Sequence, residues 1–593
     1  MTALARPAAE TVAAHDEGLA ATAVAGGLPI AFEGCAGFLH PGAARRGVVM
    51  VASIGYEAHC VSETWRALAG AFAGRGLPTL RYDLPGTFDS LGDHLDPGHV
   101  ARWTASVGAA AAALRRHAGV DEIVLVGFGV GAALAAAAAP GIAGVSAMVL
   151  LAPVLSGREY AREMTVWSRL IDDYLGHYPE DVPDGGLSVA GFRFTAETLQ
   201  GLKALKPAPF PGVARVLAYD KPGRDSGAAI RAIVGEAAVV ECRPFSDYGR
   251  LTFDPTAARP PADLLADLSA FAADGLAAPA RRAVPTAPPA AELRGDGFRE
   301  RAFRFGPDGR LFGVETRPAE GRPRAAVILL NTGRSRHTGW ARAAVEQGRM
   351  LARAGVAVLR FDVSSVGDSL SLDDREVLYA DHVDADVTAA IDVAAAEGVP
   401  VVLAGGCSGA FLAFRAAAQD PRVRGVVLVN PQRFVWDPRE RLDVLIAAGT
   451  RTVSAQAGQA LSLRQWRRLV SGEIRVGRIA AGVARQLAGL AEAALVRRGL
   501  PVSGLAPVRA EIVRRFRVLA ERGVPVRLIY GADDKGLEEL ARHFGRHGLV
   551  AYPNAAVSVI ATTDHNLTPV AARSVMLGAV EDVVEIVAGR ASP

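Results

Sequence analysis

A doubled α/β architecture is predicted: two tandem domains, each a mostly parallel sheet flanked by helices, with a helical lid inserted in the second. Three observations predict it. LRYDLPGTFDS, Leu80 to Ser90, reappears as LRFDVSSVGDS, Leu359 to Ser369; VLVGFGVGAALA from Val124 matches VVLAGGCSGAFLA from Val401 at nearly the same offset. So long a period marks a domain duplication, not a solenoid. In both halves short apolar runs alternate with helical patterns, as strands buried on both faces of a parallel sheet require. Between them LAAPARRAVPTAPPAAELRG, rich in Pro and Ala without apolar period, reads as a linker. The expected boundaries are an N-terminal extension at 1–25, a first domain at 26–280, a linker at 281–297 and a second domain at 298–593, its lid at about 432–522.

The elements of the second half follow in order. FRFGPDGRLFGVETRP is a hairpin turning at Pro307-Asp308-Gly309, and AAVILLN is a buried strand. Trp340 to Ala354 has helical spacing that Gly355 stops. VAVLRFD is a strand, Asp381 to Glu397 a helix and VPVVLAG a strand. A Gly-rich turn, a helix from about Ala410 and the strand VRGVVLVNP come next. After an Arg-rich helical stretch the chain closes with VPVRLIYGADD and VSVIATTDH. The first half repeats the series in RGVVMVAS, LPTLRYD, EIVLVG, SAMVLLAP and ARVLAYD.

Composition excludes several classes. The 593 residues carry 65 Lys+Arg against 62 Asp+Glu, a formal charge of +3, without the positive excess that coating a polyanion demands. At 50% hydrophobic and 21% charged the chain is not disordered. Cys35, Cys60, Cys242 and Cys407 form no CxxC pair and no disulfide scaffold, so a reducing, cytoplasmic setting is expected. Near the N-terminus Glu10, Asp16 and Glu17 interrupt any signal-peptide core. Ile123 to Gly157 lacks charge and mimics a membrane span, but Gly127, Gly129, Gly131, Pro140, Gly141 and Gly144 would break such a helix; strand, turn, helix and strand fit better. No nucleotide loop, metal cluster or nucleic-acid motif stands out, so no cofactor and no metal are expected.

Chemistry concentrates in the second half. Gly405-Gly406-Cys407-Ser408-Gly409 follows a buried strand and precedes a helix, the G-x-Nuc-x-G arrangement with cysteine in the usual serine position. Small flanking residues suit a strained turn, and the helix start favours a thiolate and an oxyanion alike. Two later strands end at Asp533-Asp534 and at Asp564-His565. Nucleophile, acid, histidine in that order makes Cys407, Asp534 and His565 a candidate triad, with Asp533 as the alternative acid. His565 would take the thiol proton and return it to the leaving group, and Asp534 would hold the imidazole. The amide of Ser408 and one from Thr332 or Gly333 would form the oxyanion hole. Ser408 is a rival nucleophile one place from the apex. His337 borders the same loop and is a candidate substrate contact. Bland alternatives exist for each: a buried structural cysteine, a solvated acidic turn, an ordinary loop histidine.

The first half is a natural control. Its apex reads Gly127-Phe128-Gly129-Val130-Gly131, with no side chain at Gly129, and no histidine occurs between His177 and His337. Asp220 preserves only the acid position. This half is expected to be a degenerate, non-catalytic copy.

These residues resemble the α/β-hydrolase superfamily over nearly all of both halves. NTGRSRHTGWARAAVEQGRMLARAGVAVLRFDVSSVGDS and the elbow after it are similar to serine-aminopeptidase-like hydrolases, including bacterial ones encoded beside exosortase and exopolysaccharide systems, often near acyl-carrier proteins. Cysteine at the apex departs from that pattern and resembles dienelactone hydrolases and polyhydroxyalkanoate synthases. The resemblance implies acyl transfer or hydrolysis on an ester or thioester, with a CoA- or carrier-protein-bound acyl group among the substrates. It also places a lid between VVLVNP and VPVRLIYG, where Ser462 to Gln465 is a capping-box candidate opening a helix with Trp466. Arg464 and Arg468 on that helix could meet a phosphate or an acidic carrier, or simply form a solvated face. The alternative function is a scaffold built from two degenerate domains; polymerisation of hydroxyacyl thioesters ranks below both.

Overall fold

The computed structural model describes residues 25–176, 178–276, 290–370, 376–447, 449–450, 505–545 and 548–590. They fall into two compact units. One holds the described residues of Met1–Arg322, Arg334–Gly355 and Leu359–Arg375; the other holds those of Pro323–Gly333, Val356–Val358 and Glu376–Pro593.

The first unit is built on β1 (Leu28–Phe32), β2 (Cys35–His40), β3 (Arg46–Val51), β4 (Thr79–Tyr82), β5 (Glu122–Phe128) and β6 (Val145–Leu151). A small separate hairpin, β7 (Leu187–Val189) and β8 (Phe192–Phe194), precedes β9 (Arg215–Asp220) and β10 (Val239–Pro244). The main sheet runs β1-β2-β4-β3-β5-β6-β9-β10. Its β1 and β2 are antiparallel additions, and every pair from β4 to β10 is parallel. The uncharged stretch after Ile123 is the expected strand, turn, helix (Gly131–Ala138) and strand. Its alanines let that helix lie close against the sheet, with Gly131 to Ala136 all buried. No helix among the described residues is long and apolar enough to cross a membrane.

This unit also contains β11 (Glu292–Gly295), β12 (Phe298–Phe305) and β13 (Leu311–Pro318), paired antiparallel. The turn at Pro307–Gly309 is as expected, with Asp308 at φ +54°. The linker is shorter than expected, because its last residues form β11: Leu293 buries its side chain, and Gly295 pairs with Phe298.

The compact units do not divide at the linker, and a buried ionic cluster within the first unit gives the reason. The two copies of the LRxDxxxxxDS motif make the same internal bonds. Ser90 Oγ donates to Asp83 O (2.6 Å) and accepts from Ala36 N (3.0 Å); Ser369 Oγ donates to Asp362 O (2.6 Å) and accepts from Phe312 N (2.8 Å). Their arginines then exchange partners, Arg81 meeting Asp368 at 2.8 Å and Arg360 meeting Asp89 at 2.6 Å. Arg360, fully buried, also reaches Glu300 at 2.9 Å. Charges so deeply buried must be paired, which holds both motifs in one unit.

In the second unit β14 (Ala326–Leu330), β16 (Val401–Gly406), β17 (Val423–Val429), β18 (Val526–Gly531) and β19 (Ala555–Ile560) form consecutive parallel pairs. Between β14 and β16 in the chain, β15 (Ala357–Asp362) divides its residues between the units. Parallel strands require crossovers, so their carboxyl ends line one edge of the sheet, where sites form in this class of fold. One crossover corrects the expected lid. The helix Leu505–Glu521 buries Ile512, Phe516 and Leu519, with Phe516 set 4.7 Å from Phe414 of the helix Ser408–Gln419. It is a core helix leading into β18, so any lid ends before it; residues 451–504 lie outside the described residues.

Candidate active site

The strand β16 delivers Cys407 to the carboxyl edge in a turn at φ +51°, ψ −116°, and the helix Ser408–Gln419 begins at the next residue. This conformation costs about 1–3 kcal/mol for a non-glycine residue. Cys407 N–H donates to Val429 O at 2.9 Å, tying the turn to β17. A Cβ at Gly405 would lie 2.6 Å from the Gly409 carbonyl carbon, and one at Gly409 would strike the Asn331 carbonyl oxygen. Close packing of the turn on the helix and on the loop after β14 therefore dictates both small residues.

Beyond the end of β18, Asp534 is buried, with Oδ1 accepting from Gly536 N (2.7 Å) and Oδ2 lying 2.6 Å from His565 Nδ1. Asp533 is exposed; Asp534 is the carboxylate that meets the imidazole. The loop after β19 is held by Asp564, whose Oδ1 accepts from the amides of Asn566 and Thr568.

Burial opposes charge on Cys407, but the neighbouring His565 imidazole and the Tyr379 hydroxyl outweigh it and bring the thiol below its ordinary range. Burial likewise opposes charge on His565, while Asp534 and Cys407 hold its proton well above the usual histidine range. His565 Nε2 has no hydrogen bond of good alignment, so thiol and imidazole are electrostatically coupled without a closed bond between them. Such looseness is common before substrate completes a site.

Other expected site residues lie elsewhere or act differently. Gly333 N–H donates to Ser408 Oγ at 3.0 Å, so this oxyanion-hole candidate is engaged within the protein. The same bond fixes the buried Ser408 hydroxyl, a poor position for a rival nucleophile. Thr332 packs on the elbow, its Oγ1 2.7 Å from where a Cβ on Gly406 would sit. His337 does not face a substrate: fully buried in the first unit, it bridges Asp362 (Nδ1, 2.8 Å) and Asp89 (Nε2, 2.6 Å). Burial opposes its charge, but the two carboxylates push its pKa up to about 10. Trp466, Arg464 and Arg468 lie outside the described residues. Three clusters among the described residues have metal-binding spacing (Asp93, His94, Glu346; Asp220, Asp225, Cys242; His337, Asp362, Asp368), and none includes Cys407, Asp534 or His565.

Two residues escaped the sequence reading. Asn430, fully buried at φ +45°, donates from Nδ2 to His565 O (2.9 Å) and accepts at Oδ1 from Gly531 N (2.9 Å). It joins the acid-bearing strand to the histidine loop; an Asn directly after a buried strand was the available signal. Tyr379 places its hydroxyl 3.5 Å from Cys407 Sγ, and nothing local in its sequence marks it.

At the corresponding apex of the first unit, Gly129 has φ +56° and a Cβ there would collide with Glu57 Oε2. The buried Glu57 carboxylate accepts from Tyr248 (2.9 Å), Tyr160 (3.4 Å) and Ser53. Where the second unit has Cys407, the first is filled by its own side chains.

Residues 327–584 match the alpha/beta hydrolase family. A cold-adapted esterase from an Arctic intertidal metagenomic library aligns at 16% identity over 49% of this chain and 96% of its own, with TM-score 0.28. The alpha/beta hydrolase domain-containing protein 10 of mouse aligns at 17% over 48% and 98% (TM-score 0.29), and a Pyrococcus furiosus esterase at 14% over 49% and 91% (TM-score 0.30). No curated protein matches the sequence.

Proposed function

We propose that this protein is an acyl-transfer enzyme working through a Cys407-His565-Asp534 triad, and that it arose by a tandem duplication whose first copy lost its chemistry. The reading is supported by a strained cysteine at the end of β16 and, beyond β18 and β19, a histidine held by a buried carboxylate at 2.6 Å, with Cys407 and His565 each shifting the other's hold on its proton. Cys407 attacks the acyl carbonyl of an ester or thioester, His565 protonates the leaving group, and a second nucleophile deprotonated by His565 releases the acyl group. The Ser408 amide, at the first turn of its helix, is a donor to the developing oxyanion. An acyl-cysteine is itself a thioester, which amines and thiols capture more readily than water. Cysteine at the apex therefore favours transferase or thioesterase action on CoA- or carrier-bound acyl groups. The duplication is supported by the matched hydrogen bonds of the two LRxDxxxxxDS motifs and by the glycine in place of a nucleophile at 129.

Incubation with a panel of acyl-CoA and activated acyl donors, followed by intact-mass measurement, tests the reading. One acyl group should add to the wild type and none to Cys407→Ala. An adduct that persists in Cys407→Ala argues for adventitious acylation, and no adduct on the wild type argues for the scaffold reading.

A further inference from the structure

Tyr379 occupies a place the triad leaves without a role. Its backbone is at φ +60°, unfavourable for an aromatic residue, so the surrounding structure holds it there at a cost. Its ring stacks on Trp436, centroids 5.1 Å apart and planes at 19°, and meets Phe411 edge-on at 5.2 Å. Gripped on two sides and only 5% exposed, the ring has little freedom, and its hydroxyl is 3.5 Å from Cys407 Sγ. A buried phenol needs a polar partner, and the sulfur is the one it has found. Independently, the Gly333 amide expected in the oxyanion hole is spent on Ser408 Oγ.

We propose that Tyr379 is a fourth catalytic residue, whose O–H bonds the Cys407 sulfur at rest and the acyl oxyanion after attack, in the role expected of the Gly333 amide. This rests on the acyl-transfer reading. The thiolate pair forms the C–S bond while the carbonyl π pair moves onto oxygen, and the phenol lends a hydrogen bond without giving up its proton. As the C=O re-forms, the bond to the leaving group breaks and that group takes the proton of the His565 imidazolium. Burial and the neighbouring thiolate hold the phenolic proton well above the ordinary tyrosine range, which suits a donor that must not ionise.

Tyr379→Phe keeps the ring and its stacking and removes only the O–H. In single-turnover acylation with an acyl-CoA that labels the wild type, the rate should fall about 10²–10³-fold, the range for loss of one oxyanion donor, with the concentration for half-saturation unchanged. The pH profile of iodoacetamide alkylation at Cys407 should move to higher pH, a shift that a merely structural tyrosine would not produce. A thermal melt establishes that the variant is folded, and the alkylation profile needs only folded protein. Unchanged acylation and an unchanged profile in folded Tyr379→Phe overturn the role while leaving the triad standing. A wild type that accepts no acyl group overturns the acyl-transfer reading itself, and this role with it.

Discussion

At the level of single side chains, burial and charge pull Cys407 in opposite directions, and His565 decides the outcome. The other cysteines lack such a partner. Burial pushes the Cys35 thiol up to about 12 and raises Cys60 further, and Cys242 is exposed but also raised, mainly by partial desolvation. Cys407 should therefore be the thiol that iodoacetamide labels first. Its labelling rate should fall as pH drops through a midpoint below the ordinary thiol range, because only the thiolate reacts. Removing the imidazole in His565→Ala leaves burial unopposed by it, so the midpoint should move upward. Rate–pH profiles check this; identical midpoints in wild type and variant would show that the two side chains do not interact. The apex was legible in the sequence because strand, turn and helix are consecutive there. Tyr379 was not, since its relation to the sulfur depends on a fold that brings residues 28 positions apart into contact.

Among the elements, the ends of β17, β18 and the loop after β19 must keep register for the acid to reach the base, and Asn430, directly after β17, bonds to the other two. Asn430→Ala would leave the Gly531 amide and the His565 carbonyl without this partner and put at positive φ a residue that tolerates it less well than Asn. A destabilisation of about 1–3 kcal/mol is expected for each buried group left unpaired, read as a lower urea midpoint, together with a fall in kcat at little-changed KM. Asn430→Gly relieves the backbone alone, so it should restore less activity than stability. Alternation of strands and helices was readable from apolar runs and turn residues, because those patterns are local. The helix Leu505–Glu521 misled for a physical reason: an amphipathic crossover and an amphipathic lid carry the same spacing, and only the packing of Phe516 on Phe414 separates them.

Over the whole molecule, one half carries Cys407 at its apex and the other Gly129 beneath the Glu57 carboxylate, the contrast that the proposed duplication accounts for. The repeated motifs were visible as sequence, but their reciprocal pairing was not, because Arg360 and Asp89 are 271 positions apart. A separation of 248 positions from Asp89 likewise hid the fate of His337, which looked like a site residue by its place in a loop and is instead clamped by two carboxylates. Arg360→Met should cost about 3–5 kcal/mol in chemical denaturation, since Asp89 and Glu300 would each lose a cation in a buried setting. A loss within the error of the measurement would show that the cluster is not held by charge.

The most direct test of acyl transfer is the mass of the intact protein after exposure to acyl-CoA donors. A covalent mechanism requires one acyl group on the wild type, located at Cys407, slowed in His565→Ala and absent from Cys407→Ala. An unmodified wild type across the panel, or an adduct indifferent to Cys407, would contradict it.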